Sequence, residues 1–365
     1  MSQINVRNLS NENEDGAPDI VGISTFSATS YFVPPKGNTA QRPENPQPGE
    51  LRFNTDSASL EYFKGDTLNW SQIEMTSPNL NGGARGIFFA GQNPGEVDTI
   101  DYITIPTLGD ATDFGNATDT RDEVQCCSSR TRGFGGGGYD GGTDDKIDYV
   151  TFSSTGDATD FGNLSVARFS AAGLSDQTRG IWAGGATPTY QDVIDYIIME
   201  SSGNAVDFGN LGAANYEPAA CSSSTRGVIG GGANPNATNT IEYITISTLS
   251  NATDFGDLTV ARRGLSSCSN STRGLFWVGL SNTNTIEYIT IATTGNATDF
   301  GDTTYTTQEA AACASVTRGI VGGGNPNVNT INYVEIATTG NATDFGDLSQ
   351  ARKRLGSCSN AHGGL

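Results

Sequence analysis

Apolar and polar side chains alternate with period two over most of TIEYITIA, residues 285–292. That is the period of a strand with one buried face. Near copies stand at 240–247 (TIEYITIS) and 330–337 (TINYVEIA), with weaker ones at 99–106, 146–153 and 193–200. Each is preceded by a short apolar or glycine-rich run behind an Arg-Gly pair, as in RGLFWVG. Each is followed by a turn and a copy of NATDFGD. A stretch of small residues such as RGLSSCSN comes before the Arg-Gly. The pattern predicts four short antiparallel strands per unit, joined by glycine- and asparagine-bearing turns.

The unit repeats. The phenylalanines of the DFG triplets are Phe114, Phe161, Phe208, Phe255, Phe300 and Phe345, spaced 47, 47, 47, 45 and 45. The Arg-Gly arginines are Arg85, Arg132, Arg179, Arg226, Arg273 and Arg318, spaced 47, 47, 47, 47 and 45. Two markers in step predict an all-β repeat architecture, with one four-stranded unit per propeller blade. The ending CSNAHGGL, 358–365, aligns with CSNSTRGL, 268–275, whereas the first Arg-Gly lacks a small-residue strand before it. The expectation is a ring in which 352–361 supply the first strand of the first unit. It gives six blades over residues 81–365 and leaves no free sheet edge. An open stack of the same units is the alternative.

Composition fits many small sheets better than one thick core: 35% of residues are hydrophobic and 47 are glycine. The regular Val/Ile/Tyr/Phe runs argue against disorder. A net charge of −20 excludes nucleic-acid binding through a basic surface. It suits a salty medium, where screening removes self-repulsion. No apolar run is long enough for a membrane span, so no insertion is expected. The opening MSQINVRNLSNENEDG has no apolar stretch of the secretory kind. Asn-X-Ser/Thr triplets such as 296–298 then read as turn chemistry.

The units ARFSAAGLSDQTRGIWAGG and IEYITIATTGNATDFGDL resemble kelch repeats: an Arg, a small-residue strand, a glycine pair, a Tyr-bearing strand and an aromatic. Phe of DFG holds the place usual for tryptophan. The glycine pair is kept at Gly184-Gly185, Gly231-Gly232 and Gly323-Gly324, and broken at Gly91-Gln92 and Gly279-Leu280. The resemblance implies a six-bladed kelch-like β-propeller and says little about activity. Residues 33–80 differ. TAQRP (39–43), GELRFNTD (49–56), LEYF (60–63) and Trp70 resemble a short module of bacteriophage tail fibres and other virion proteins. That module reads as a tiny β unit, strands 50–54 and 59–63 with Trp70 packed back on them. It is too small to bury much surface alone. The resemblance, to virion proteins of marine or cyanophage-like bacteriophages, implies attachment to other virion proteins through this region. It also implies a homo-oligomer, a trimer being favoured, and residence in the virion. Residues 1–32 are expected to be an extended arm, either a tail or a segment that orders on docking.

The candidate chemistry is sparse. Cys127, Cys221, Cys268, Cys313 and Cys358 take one repeat position, where Leu174 stands in another unit. They are expected to be buried free thiols too far apart to bridge; a metal ring is the alternative, and Cys126 is the extra one. The DFG aspartates Asp113, Asp160, Asp207, Asp254, Asp299 and Asp344 lack a calcium-loop pattern. They are expected to bridge to the Arg-Gly arginines. A lone histidine, His362, leaves nucleophilic triads and zinc sites little to stand on. GFGGGG, 133–138, lacks the Lys and helix of a phosphate loop. No cofactor, metal or catalytic residue is predicted.

The connections between second and third strands vary from unit to unit, and so do those leading into each first strand. Variation on a constant scaffold marks the face free to bind. Tyr139, Asp144, Tyr190, Gln191, Tyr216, Glu217 and Tyr305 lie there as a candidate ligand-binding set. Aromatic faces beside acid and amide groups suit sugars. The expected function is therefore a phage tail fibre or appendage whose propeller binds a host-surface glycan or protein. A neck, baseplate or capsid decoration protein is one alternative, and a polysaccharide-degrading enzyme another.

Overall fold

The structure, a computed structural model, describes residues 34–56, 59–65, 69–72, 84–280 and 283–365. The expected arm over 1–32 lies outside them. The chain divides into two units, Met1–Ser77 and Pro78–Leu365. It is all-β: among the described residues are seven four-stranded sheets, one of them in the first unit and six in the second.

In the first unit, Leu51–Asn54 pairs with Ser59–Phe63, which pairs with Trp70–Gln72. Glu61 is fully buried at the centre. Arg42 donates to it at 2.6 Å, Asn54 at 3.1 Å, and Arg52 stands 3.6 Å away. The Arg42 hydrogen bond holds its carboxyl below the ordinary carboxylate range. Trp70 lies 5.5 Å from the Phe63 ring, with the Arg42 and Arg52 guanidiniums each 5.9 Å from its face. The conspicuous residues of this segment's motif thus converge on one buried carboxylate.

The six sheets of the second unit share one plan of four antiparallel strands, which in sheets II to VI run in sequence order from inner to outer. In sheet I the inner strand is Gly356–Ser359, paired with Arg85–Gln92, then Glu96–Thr104 and Thr112–Asn116. Cys358 stands opposite Ile87, so the end of the sequence completes the first sheet. The inner strands of sheets II to VI are Gln125–Ser128, Ala172–Ser175, Ala219–Ser222, Ser266–Ser269 and Ala311–Ala314.

Six small cores, each shared by two neighbouring sheets, replace a single large one. This is how 35% hydrophobic residues suffice. The second strands alternate in bulk: sheets I, III and V carry Phe88-Phe89, Trp182 and Phe276-Trp277, while II, IV and VI carry glycines. A Cβ on Gly136 would lie 2.6 Å from Trp182, one on Gly230 2.8 Å from Phe276, and one on Gly322 3.0 Å from Phe88. Large rings therefore fill the spaces that glycines leave next door.

NATDFGD is the clasp between sheets. Its first side chain accepts from the amide of the seventh residue of the preceding copy, as Asn251 does from Asn210 at 3.1 Å. Its alanine amide donates back to that residue's carbonyl, Ala252 to Asn210 at 2.8 Å. The clasps run through all six sheets and return to the start, where Asp110 accepts from Asp347 at 3.0 Å. The DFG phenylalanines are buried, each edge-on to a tyrosine of its own sheet about as Phe114 is to Tyr102, 5.9 Å.

The Arg-Gly arginines do not bridge to the DFG aspartates, contrary to expectation. Each lies over the tyrosine of its own third strand, 4.3–5.0 Å from the ring centroid. Each also donates to a carbonyl of the next sheet, from Arg85 to Phe152 round to Arg318 to Ile105. The tyrosine face and the carbonyl satisfy the guanidinium. The DFG aspartates are all exposed, with no ion pair among the described residues.

A different arginine makes the buried pair. Arg121, Arg168, Arg262 and Arg352 lead into inner strands and meet Asp148, Asp195, Glu287 and Asp101. All eight are essentially without solvent exposure. A hydroxyl closes each carboxylate, as Ser165 does Asp195 at 2.6 Å. In sheet VI both charges are gone together: Thr307 and Asn332 hold the two places. In sheet IV only the arginine is gone. Asn215 stands there, and burial raises the pKa of Glu242.

Candidate binding face

The inner strands surround an axis, and each end of it is closed differently. At one end stands a belt of serine hydroxyls. Ser128 donates to the Ser359 carbonyl, Ser175 to Ser128, Ser222 to Ser175, Ser269 to Ser222 and Ser359 to Ala314, at 2.5–2.8 Å. Residues 362–365 cross this end. Gly364 donates its amide to Nδ1 of His362 at 3.1 Å, so Nε2 carries the proton. Nε2 lies 3.2 Å from the Ser128 carbonyl and from Ser175 Oγ. Burial lowers the His362 pKa from 6.5 to about 4, leaving a neutral imidazole with a structural role.

The six cysteines are unpaired and buried between sheets. Five of them occupy one repeat position, as the spacing indicated. They explain the glycine of Arg-Gly: a Cβ on Gly180 would lie 2.5 Å from Cys127 Sγ, and one on Gly274 equally close to Cys221. Burial pushes the Cys221 and Cys313 thiols up to about 12, so neither is a thiolate at neutral pH.

The other end lies on the side of the variable loops. The residue two places after each buried arginine position takes a left-handed backbone conformation: Glu123, Ser170, Glu217, Gly264, Glu309 and Arg354, φ 51–62°. Their amides and carbonyls form a cycle. Ser170 donates to Glu123 at 3.1 Å, Glu217 to Ser170 at 3.2 Å, Gly264 to Glu217 at 3.3 Å, and Glu309 to Gly264 at 3.0 Å. Arg354 donates to Glu309 and Glu123 to Arg354, both at 2.8 Å. The main-chain ring fixes five side chains and one glycine around a mouth of about 40 Å³, room for only a water or two. Carboxylates come from sheets II, IV and VI, those with glycine-rich second strands. Arg354 pairs with Glu123 at 3.0 Å and Glu309 at 3.2 Å, and Ser170 donates to Glu123. Burial raises the pKa of both Glu123 and Glu217.

An aromatic arc leads from this mouth outward. Tyr139 meets Phe169 edge-on at 5.7 Å, and Phe169 meets Tyr216 at 5.9 Å. Tyr216 stacks on Tyr190, centroids 5.3 Å apart and planes 2° from parallel. Arg263 lies 5.7 Å from the Tyr216 ring and 3.5 Å from Glu217. Burial, then the Glu123 and Glu217 carboxylates, push the Tyr216 phenol above its ordinary value. Tyr139 is 37% exposed and Tyr190 partly so, which leaves aromatic surface open.

Of the candidate set, Tyr139, Tyr190, Tyr216 and Glu217 are brought together along this arc. The other three candidates are used internally. Asp144 pairs with buried Arg121 at 3.3 Å. Gln191 folds its amide back onto the Thr189 carbonyl at 3.0 Å. Tyr305 turns inward and donates to the Thr330 carbonyl at 3.0 Å. That carbonyl is the counterpart of those at Lys146, Val193 and Thr285 that accept from arginines elsewhere, so Tyr305 stands in for the arginine sheet VI lacks. Missed from the sequence were Phe169, Arg263 and the ring of Glu123, Ser170, Gly264, Glu309 and Arg354. Their signal was two adjacent repeat positions that vary: the one holding Phe169 and Arg263 differs in all six units, and the ring position reads Glu, Ser, Glu, Gly, Glu, Arg. Among the described residues no cluster of three or more His, Cys, Asp or Glu is placed to hold a metal. No protein-family model matches the chain, and no curated protein sequence is detectably similar to it.

Proposed function

We propose that this chain is a structural protein of a bacteriophage particle, a tail fibre or similar appendage, that displays a ligand-binding face. In this reading the six sheets are blades of a kelch-like propeller. The first unit, with its motif gathered on Glu61, is the attachment and oligomerisation module. The variable-loop side of the propeller contacts a host-surface glycan. The observation that carries the binding reading is the arc Tyr139–Phe169–Tyr216–Tyr190 beside Glu217 and Arg263. Partly exposed rings offer flat apolar faces to sugar C–H groups, and the flanking charged groups offer hydrogen-bond partners.

The test is binding of the full chain to surface polysaccharide extracted from bacterial hosts, with Tyr190→Ala and Tyr216→Ala as variants. The reading expects measurable binding that both variants weaken. Binding equal in parent and variants removes the arc from function. Antibody labelling of intact particles places the protein: signal at the tail tip fits adhesion, and signal at the collar or capsid fits a decoration protein instead.

A further inference from the structure

We propose that sheet IV carries a binding site for a guanidinium group, filled by an arginine side chain that a partner protein presents. The site is built on Glu242 and Asn215 and does not rest on the glycan reading above.

Sheet V shows what this place in the fold is shaped to hold. Glu287 Oε1 accepts from the Thr259 amide at 2.8 Å, and Oε2 accepts from Arg262. Arg262 also donates to the Thr285 carbonyl at 3.3 Å. In sheet IV the same residue type makes the same first contact: Glu242 Oε1 accepts from the Gly212 amide at 2.8 Å. The likeness stops at the second oxygen. Asn215 holds the place of Arg262 and is too short to take its part. Among the described residues no cation pairs with Glu242, and no donor reaches its Oε2. The Thr240 carbonyl is the counterpart of Thr285's, and no side chain donates to it among the described residues.

Sheet VI shows that losing the arginine need not leave acceptors unmatched. There Asn332 replaces the carboxylate, and Tyr305 donates to the Thr330 carbonyl. Sheet IV has neither remedy: it keeps its carboxylate, and Ala213 stands where Tyr305 would. An ionised acceptor without its donor is costly, and a ligand that supplies the donor recovers the loss.

Two further observations point to a ligand that enters from solvent. Asn215 uses Nδ2 on the Gly231 carbonyl at 2.8 Å, while its Oδ1 is buried without a partner. One more acceptor is thus left over at the arginine position. Glu242 is also partly exposed, whereas Glu287, covered by its arginine, is fully buried.

The acceptors select the ligand. A guanidinium offers five N–H donors in a plane and accepts nothing. Its fork spans a carboxylate and a carbonyl, as Arg121, Arg168 and Arg262 each do in their own sheets. No unit places a lysine at this position, and an ammonium is a point charge without the fork. The donor set does not suit a metal ion. A net charge of −20 draws basic segments toward the chain.

The experiment titrates the full chain by calorimetry with two capped pentapeptides, Gly-Gly-Arg-Gly-Gly and Gly-Gly-Lys-Gly-Gly. The arginine peptide is expected to bind about tenfold or more tightly than the lysine one and to raise the melting temperature as it saturates. Asn215→Arg supplies the guanidinium from within the chain, so it should raise the melting temperature by itself and abolish peptide binding. Glu242→Gln should abolish binding without lowering the melting temperature, and it decides the matter if Asn215→Arg does not fold. Equal binding of the two peptides, or binding of neither, overturns the site. Arginine binding that survives Glu242→Gln lies elsewhere on the protein and overturns it too. Binding of methylguanidinium but not of the arginine peptide would show a site closed to a protein side chain, and would overturn the partner.

Discussion

The amide of Gly363 donates to the carbonyl of Ser269 at 2.9 Å, and it does so where the serine belt is broken. Five carbonyls of that belt accept from the serine of the next sheet. The sixth, Ser269, faces Ala314, which has no hydroxyl to give. Residues 362–365 supply the missing donor from another part of the chain, so the belt's one irregularity is also its docking point for the plug.

Gly363 is there because nothing larger fits. A Cβ would collide with the Asn270 carbonyl and stand 2.6 Å from that of Ser222, both main-chain atoms that cannot swing aside. Gly363→Ala should expel residues 362–365 from the axis. His362 then returns to water and titrates near its ordinary value instead of about 4. Proton NMR of this single histidine against pH reads the change. An unmoved titration would mean that the plug does not depend on Gly363.

The same histidine sets one limb of the pH response, and Asp122 sets the opposite one. Asp122 is buried, and burial first, then Glu123 and Glu96 against the pull of Arg354, raises it from 3.8 to about 6. Between those values the folded protein holds a proton that the unfolded chain releases, so this group stabilises as the pH falls. His362 is lowered from 6.5 to about 4. In that window the unfolded chain takes up a proton the folded one refuses, so stability is lost as the pH falls. Each difference is worth at most about 3 kcal/mol. Asp122→Asn should make the melting temperature fall faster than the parent's from pH 6 to 4, and His362→Gln should make it fall more slowly or rise. Parallel curves for all three proteins would contradict both assignments.

Much of this architecture is legible in the sequence because recurrence reports it. Fixed spacing of Arg-Gly and DFG gives the four-strand units, and the alignment of 358–365 with 268–275 gives the completion of sheet I by Gly356–Ser359. What recurrence does not report is which atoms meet. Arg85 and Asp113 recur together, which suggested a bridge, but Arg85 finds Tyr102 and the Phe152 carbonyl. The alternation between FF, W or FW and glycine in the second strands was also present in the letters. It is a period of two repeats, and it matters only once neighbouring sheets face each other. The carboxylates at the mouth follow that longer period, so a search for a single-repeat motif passes over them.

Sheet VI suggests an experiment on the buried charges. Arg168 and Asp195 meet at 3.0 Å with no exposure on either side. Arg168→Ala strands a carboxylate in the interior and should cost about 3–5 kcal/mol by urea unfolding. Thr307 and Asn332 show the neutral alternative, with Tyr305 closing the Thr330 carbonyl. Asn332→Asp restores the acid without its arginine and should likewise destabilise at pH 7. Its loss should shrink as the pH falls and the carboxyl takes a proton. A loss that stays constant with pH would place water or another cation beside residue 332.

Within NATDFGD the seven positions should respond very unequally to substitution. Gly256 has φ +149°, and a Cβ there would lie 2.5 Å from the Gly295 carbonyl of the next clasp. Gly256→Ala should therefore cost more than about 2 kcal/mol, because neither main chain can yield. Asn296 accepts from the Asp257 amide at 3.0 Å on the surface, so Asn296→Ala should cost about 1 kcal/mol. Asp254 recurs as faithfully as either, yet it is exposed and stands directly across from Glu242, a like charge. Nothing in the structure explains its recurrence, and Asp254→Ala should fall within about 0.5 kcal/mol of the parent. Urea unfolding of the three variants at pH 7 ranks them. If Asp254→Ala were as damaging as Gly256→Ala, the repeated aspartate would have a partner in solution, and the clasp would extend to groups beyond the main chain and the Asn side chain.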